Sequence, residues 1–174
     1  MMGPDTHAAV ITPVRSDDDI ALASQLARAF FDYMRVAWPE RAGLIDDYLI
    51  AQDFEGQLAD FRNHFTPPHG ECLLARLGGE GVGIVMLKPY APEVCELNRM
   101  YVTRAARRHG LGRRLCEELI SQARALGYRE IRLDALNERV DAVPLYRKLG
   151  FRPDPDPPAF TRRDPEIVSL RMTL

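Results

Sequence analysis

The segment at residues 107–113, Arg-Arg-His-Gly-Leu-Gly-Arg, constrains the fold of this chain more than any other feature. It lies between an apolar run and an amphipathic stretch, and it has the pattern R-x-x-G-x-G. Glycine at positions 110 and 112 allows a tight turn and a close approach of the backbone to a ligand. A helix that begins at Gly112 points its free N–H groups back at the same place, which creates an anion site. The segment therefore predicts a strand, a turn and a helix that bind a phosphorylated ligand through the backbone.

Two common nucleotide-binding motifs do not fit this segment. A dinucleotide fingerprint needs a third glycine, but Leu115 stands at that position. A P-loop needs lysine after its last glycine, but Gly112 is followed by Arg113. The alternative interpretation is that the two glycines only shape a turn between a strand and a helix.

The spacing of apolar residues predicts the remaining elements. Helices are expected at about residues 18–35, 46–65, 112–126 and 142–149. Strands are expected at residues 9–14, 71–77, 81–89, 94–102, 130–135 and 166–172, with another beginning at Phe151. Ser16 and Asp141 are the expected N-caps of the first and last helices. Gly56 weakens the second helix and marks a point at which it can split.

The order of these elements predicts the fold class. The strand at 94–102, the helix at 112–126 and the strand at 130–135 form a crossover of the length that joins parallel strands. The Gly78-Gly79 pair lies between two β-prone runs and predicts a hairpin. We therefore expect an α/β fold with a mixed, mostly antiparallel central sheet that is flanked by helices. One domain is expected over residues 1–174, with residues 1–8 as a flexible tail.

Composition excludes several classes of function. The net charge of −2 argues against a nucleic-acid partner, since proteins that bind nucleic acid are usually basic. No run of about 18 apolar residues is present, and the first residues lack the pattern of a signal peptide, so we expect no membrane partner and a cytoplasmic location. Cys72, Cys95 and Cys116 lie in apolar stretches without close pairing, which is typical of buried thiols in a reducing compartment. No cluster has metal-ligand spacing, so no metal is expected.

The stretch from Cys95 to Phe151 carries several motifs at fixed mutual spacing: CELNRMYV, RRHGLGRRL, LGYREIRLDAL and VPLYRKLGF. Together they resemble the GNAT superfamily of N-acetyltransferases. The resemblance implies an acyl-CoA N-acyltransferase fold with a splayed pair of parallel strands, and acetyl-CoA as the co-substrate. It also implies the residues whose backbone contacts acetyl-CoA, which are Met100, Tyr101, Val102, Arg107, Arg108, His109, Gly110, Leu111, Gly112 and Arg113.

The same resemblance implies how the reaction proceeds. Tyr146, in the motif L-Y-x-x-L-G-F, is the expected general acid for the leaving thiolate. Glu96, on the strand that leads into the site, is the candidate base that takes the amine proton directly or through water. The alternatives are that Tyr146 is a core aromatic residue and that Glu96 is solvated or forms a structural ion pair with Arg99.

One position departs from the family pattern. Many relatives carry asparagine seven residues before the tyrosine, where this chain has Arg139. Asn137 lies nine residues before Tyr146, and it is assigned here as a further cofactor contact.

The acceptor of the acetyl group is the part that the sequence defines least. The candidate residues that line its site are Trp38, Asp46, Asp47, Tyr48 and Phe160. Arg162 and Arg163 would instead attract an anionic acceptor. The charges in the candidate loops therefore do not indicate whether the acceptor is cationic or anionic.

Three functions are weighed. The favoured one is transfer of an acetyl group from acetyl-CoA to a primary amine of a small molecule, an amino acid or a protein, by direct attack in a ternary complex. The alternative is a non-catalytic acyl-CoA-binding module that senses or regulates. A weaker one is a nucleic-acid-associated protein that uses the basic patch at residues 104–114. Homodimers are common in the superfamily and are compatible with this sequence.

Overall fold

A seven-stranded mixed sheet forms the centre of the computed structural model, which describes residues 8–174. The predicted tail at residues 1–8 therefore lies, apart from Ala8, outside the described residues. The strands are β1 (Val10–Pro13), β2 (Glu71–Leu77), β3 (Glu80–Ala91), β4 (Val94–Val102), β5 (Glu130–Leu136), β6 (Arg152–Pro153) and β7 (Ile167–Thr173). Their order in the sheet is β1-β2-β3-β4-β5-β7-β6, and only β4 and β5 are parallel. The expected fold class is confirmed.

Helices cover both faces of this sheet. They are α1 (Asp17–Ala37), α2 (Ala42–Ala51), α3 (Phe54–Ala59), α4 (Phe61–Phe65), α5 (Leu111–Ala125) and α6 (Val143–Leu149). Alternate residues of the strands enter two separate cores, because successive side chains point to opposite faces. Leu73 and Val85 pack with α5 in one core, whereas Leu74 and Ile84 pack with α1 to α4 in the other. No helix within the described range is both long and apolar enough to span a membrane.

Local sequence signals explain where several elements begin and turn. The Ser16 hydroxyl accepts a hydrogen bond from the Asp19 N–H at 3.1 Å, which confirms the predicted N-cap of α1. Gly78 and Gly79 have φ values of 58° and 84° between β2 and β3. Positive φ at both central residues is what a tight type I′ hairpin needs. The predicted hairpin is confirmed.

The single helix expected over residues 46–65 is wrong, because the structure has three short helices from Ala42 to Phe65. The breaks lie at Asp53, in the left-handed conformation with φ 49°, and at Asp60. Short polar side chains tolerate this conformation better than most residues. Gly56 lies inside α3 rather than at a break. A Cβ there would come within 2.3 Å of the Asp53 carboxylate, which would have to move aside.

The end of the chain differs from expectation in two details. The N-cap of α6 is Ala142 rather than Asp141, and no side chain caps it. The Asp141 carboxylate instead lies 4.0 Å from Arg139, while the Arg139 carbonyl accepts the Val143 N–H at 3.0 Å. The strand expected to begin at Phe151 is reduced to the two residues of β6.

The parallel strands β4 and β5 separate soon after they meet. They are paired at only three positions, the last of which joins Glu96 and Arg132. Beyond it, β4 continues beside β3 and contains a bulge, at which Arg99 has φ 53°. The opening between the two strands positions the candidate site.

Candidate active site

A pocket of about 80 Å³ lies where β4 and β5 diverge. Its walls come from α1, α2, β4, β5, the turn before α6, α6 itself and the segment before β7. Much of the lining is apolar, and four of its aromatic rings are those of Phe30, Phe31, Tyr48 and Phe160. The polar groups at the pocket include Asn98, Arg99, Asp134, Arg139 and Tyr146.

Tyr146 lies on the wall of this pocket and is 2% exposed. The helix α6 presents it, and its ring packs edge-on against Phe151 with the centroids 5.9 Å apart. The chain reverses at Gly150, so that the Phe151 N–H donates to the Tyr146 carbonyl at 3.1 Å. Burial raises the pKa of Tyr146, and the charge of Arg139 opposes that rise. The phenol therefore stays protonated at neutral pH and is available as a proton donor.

Glu96 is buried and fully engaged with other protein groups. It forms an ion pair with Arg132 and accepts a hydrogen bond from the Asn98 amide at 2.9 Å. Its carboxylate also lies 3.8 Å from the Lys88 ammonium. The partner of Glu96 is thus Arg132 and not Arg99, whose guanidinium stacks 4.8 Å from the Phe54 ring centre.

The pairing of Glu96 belongs to a buried network that the sequence analysis missed. Arg132 is 0% exposed and contacts Asp134 as well as Glu96, with Asp154 3.7 Å away. Burial raises the pKa of Asp134, although Arg132 opposes that rise. A charged residue in the middle of the apolar strand EIRLDAL was the signal for this network.

The glycine segment has the geometry of an anion site. Gly110 has φ 68° and caps α5, which begins at Leu111, one residue earlier than expected. Arg108 also has a positive φ of 72°. Within the described residues, the backbone N–H groups of residues 108–113 donate to no protein acceptor. These donors sit at the N-terminus of a fifteen-residue helix, whose dipole favours a negative charge.

The side chains of Arg107 and Arg113 contact other protein groups and stabilise this segment. The Arg107 guanidinium lies 4.6 Å from the Tyr33 ring centre and donates to the Val102 carbonyl at 3.2 Å. Arg113 pairs with Glu117 at 2.8 Å, one helical turn away. His109 is exposed. The loop is therefore held by its side chains while its backbone N–H groups stay free.

Strand β4 connects the loop to the pocket. Met100, Tyr101 and Val102 form its last residues, and the Met100 sulfur lies 3.5 Å from the point where a Cβ on Gly112 would stand. Tyr101 packs between Phe30 and Tyr33, with ring centres 5.6 and 6.0 Å away. The pocket thus lies beside the middle of β4, and the loop follows the end of the same strand.

Asn137 is placed differently from Arg139. It is exposed just after β5, and its N–H donates to the Glu166 carbonyl at 2.7 Å. Arg139, which sequence reasoning noted only as a departure from the family pattern, lies inside the pocket instead.

Only two of the residues expected at the acceptor site line the pocket. Tyr48 and Phe160 face each other across it, with ring centres 5.9 Å apart. Trp38 packs on Tyr33 outside the pocket. The others are exposed residues that do not line it: Asp46, Asp47, Arg162 and Arg163. No group of three metal-ligating side chains is found in the described part of the chain.

The chain is similar to known acetyltransferases in sequence and in fold. The model of the acetyltransferase (GNAT) family matches residues 26–151. An uncharacterized N-acetyltransferase of Schizosaccharomyces pombe is 34% identical over 128 residues, which are 72% of this chain and 77% of that protein. The N-alpha-acetyltransferase RimI of Mycobacterium tuberculosis is 33% identical over 65% of this chain and 72% of its own length. N-acetyltransferase family 8 member 2 of Rattus norvegicus is 29% identical over 59% of this chain, and the match spans 48% of that protein.

Solved structures share the fold at low identity. The PaiA N-acetyltransferase of Thermoplasma acidophilum, in complex with coenzyme A, matches with a TM-score of 0.70 at 16% identity, over 96% of this chain and 99% of that one. A GNAT-family acetyltransferase of Staphylococcus aureus Mu50 matches with a TM-score of 0.71 at 18% identity, over 95% and 99%.

Proposed function

Because the chain belongs to the GNAT family of acetyltransferases, we propose that it transfers the acetyl group of acetyl-CoA to a primary amine by direct attack in a ternary complex. One observation carries this proposal. The backbone N–H groups of residues 108–113 are free of protein acceptors in the described structure, and they lie at the end of the strand that also lines the pocket of Tyr146. A loop that can bind phosphate and a buried tyrosine that can act as a general acid together fit an acyl-CoA donor.

The donor would bind along β4. Its pyrophosphate would accept hydrogen bonds from the backbone N–H groups of residues 108–113, with Arg107 bracing the loop through Tyr33. Its thioester would lie against the backbone of residues 100–102. Main-chain N–H groups there would stabilise the negative charge that develops on the carbonyl oxygen.

The chemical step follows from the groups in the pocket. The lone pair of a neutral amine attacks the thioester carbon, and the C–S bond breaks as the C–N bond forms. The sulfur leaves with the electron pair and takes the proton of the Tyr146 hydroxyl. Solvent returns a proton to Tyr146, and the amine loses one.

The acceptor of that last proton is a separate question. Glu96 is the base expected from the sequence, but one of its oxygens contacts Arg132 and the other accepts a hydrogen bond from the Asn98 amide. Asn98 donates to Glu96, and its own side-chain oxygen is buried without a partner in the described structure. We therefore propose that Glu96 acts by orienting Asn98 towards the amine, and that water removes the proton.

The pocket also bears on the acceptor. Its apolar and aromatic walls fit an amine on an apolar body. Arg99 and Arg139 both line it, whereas Asp134 is the one carboxylate among its lining residues. This charge balance disfavours acceptors with several positive charges.

Isothermal titration calorimetry of acetyl-CoA into the protein tests the donor site. Gly110→Trp places a bulky side chain in the loop. Gly110 has φ 68°, and a Cβ added there would have open space around it. Gly127→Trp is the matched control, since Gly127 also has open space and a positive φ of 91° but lies past the other end of α5. We expect binding to the wild type and to the control, and loss of binding in the loop variant.

Turnover separates the enzyme from a binding module. Release of free CoA thiol in the presence of an amine supports the proposed reaction. Saturable binding without thiol release over a broad amine panel supports the acyl-CoA-binding module instead. Absence of binding to the folded wild type overturns both.

A further inference from the structure

Arg139 is a charged residue of the pocket to which the mechanism above gives no step. It lies in the turn between β5 and α6 and is 6% exposed. One of its terminal nitrogens donates to the Met100 carbonyl of β4 at 3.3 Å. The guanidinium also lies 5.0 Å from the centre of the Phe30 ring. It therefore bridges the opening between the separated strands.

The charge of Arg139 is poorly compensated by protein groups. Within the described residues, its closest carboxylate is that of Asp141, which is 4.0 Å away and half exposed. Its buried Nε atom has no acceptor among the same residues. Arg132 differs sharply, because it contacts Glu96 and Asp134 and lies near Asp154. A buried cation with so little compensation attracts negative charge that appears nearby.

The backbone fixes Arg139 relative to Tyr146. The Arg139 carbonyl accepts the Val143 N–H at 3.0 Å, and the Ala142 carbonyl accepts the Tyr146 N–H at 3.0 Å. The turn and the helix thus form one unit, and both side chains line the same pocket. The Arg139 guanidinium and the Tyr146 phenol line one pocket, and the charge of Arg139 lowers the pKa of Tyr146 against the effect of burial.

We propose that Arg139 is the electrostatic partner of Tyr146 and that its charge stabilises the thiolate that leaves in the acetyl transfer. The inference rests on the proposed function. When the C–S bond breaks, the electron pair goes to sulfur, and the Tyr146 proton then moves to that sulfur. Negative charge therefore passes from sulfur to the tyrosine oxygen. Arg139 stabilises both positions through its charge, without gaining or losing a proton.

The ionisation of bound CoA measures this effect without turnover. The ultraviolet absorbance of the thiolate is followed against pH with CoA bound, and the same titration with desulfo-CoA removes the signal of the protein's own tyrosines. In the wild type we expect the thiol of bound CoA to have a pKa about one unit or more below that of free CoA, as a nearby cation dictates. Arg139→Met abolishes the shift, and Arg139→Lys keeps part of it.

Matched variants make the test specific. Arg147→Met removes an exposed charge of α6 next to Tyr146 in sequence, and it should leave the shift unchanged. If Arg139→Met does not fold, Arg139→Gln replaces it, since the amide keeps a polar donor in the turn while the charge is gone. A second readout is the alkaline limb of kcat, which should move to higher pH in the neutral variants.

The outcomes distinguish this inference from the proposed function. A wild type that fails to bind CoA overturns the proposed function and the inference with it. A wild type that binds CoA without lowering the pKa of its thiol overturns the inference alone. The same holds if the neutral variants bind CoA and keep the full shift.

Discussion

Glu96 and Arg132 face each other at the last position where β4 and β5 are paired, and their side chains form a buried ion pair. One residue further along, the strands no longer pair. The ion pair therefore lies at the point at which the sheet opens, and the pocket begins directly beyond it with Leu97 and Asn98. We propose that a charge pair at this place supports the geometry of the site rather than its chemistry.

Glu96→Gln should lower the free energy of unfolding by about 1–3 kcal/mol, because a charged hydrogen bond to a fully buried arginine is replaced by a neutral one. Urea denaturation measures the change. Glu55→Gln, in the exposed pair with Arg28, is the control and should cost less than about 1 kcal/mol. If Glu96→Gln leaves stability unchanged but removes the acid limb of the kcat/KM profile, Glu96 is the base after all.

Tyr146→Phe should lower kcat by about 10²–10⁴-fold, as expected on loss of a general acid, while the affinity for acetyl-CoA is kept. Steady-state kinetics with calorimetry measures both. Tyr128→Phe is the control, because its hydroxyl donates to the His69 carbonyl and it does not line the pocket. Burial raises the pKa of Tyr146, so the wild type should stay active up to the usual tyrosine pKa of about 10. An unchanged kcat in the variant contradicts the assigned role.

The three cysteines should not react with a thiol reagent in the folded protein. Cys72, Cys95 and Cys116 are buried as expected, and burial raises the pKa of Cys95 and Cys116 to about 12. Since the thiolate is the reactive form, the native protein should give almost no signal with a chromogenic disulfide, and three thiols should appear in denaturant. Rapid reaction of one native thiol would show that the core opens there.

Amines with an apolar body and one positive charge should have higher kcat/KM values than polyamines, because two arginines line the pocket. Phe160→Ala should lower kcat/KM for such an amine by about tenfold or more, through lost apolar contact. Ile50→Ala should leave it unchanged, because Ile50 is a residue of α2 that is 79% exposed. A polyamine that outcompetes apolar amines would contradict this interpretation of the pocket.

The sequence predicts those parts of the molecule that depend on local patterns. The glycine segment, the Gly78-Gly79 hairpin and the cap at Ser16 each need only a few neighbouring residues, and all have the expected local geometry. The parallel pair follows from the length of its crossover. These features depend on backbone sterics and periodicity, which the sequence expresses directly.

Side-chain direction could not be predicted in the same way. Glu96 could point to Arg99 in its own strand or to a neighbouring strand, and only the register of β4 against β5 brings it to Arg132. Arg139 was distinguishable from Asn137 only once the turn after β5 was known. The breaks at Asp53 and Asp60 likewise depend on packing of three short helices against the sheet, which overrides their apolar periodicity.

The place of β7 in the sheet has a consequence for how the chain folds. β7 is inserted between β5 and β6, so β5 gains its antiparallel neighbour only after residues 167–173 have been synthesised. Pairings between distant segments form slowly, because the intervening loop must close first. The hairpin of β2 and β3 can form early. The pairing of β5, β7 and β6, in the half of the sheet next to Tyr146, forms later. Ligand-binding competence should therefore appear as a late kinetic phase, after most of the helical signal has already developed.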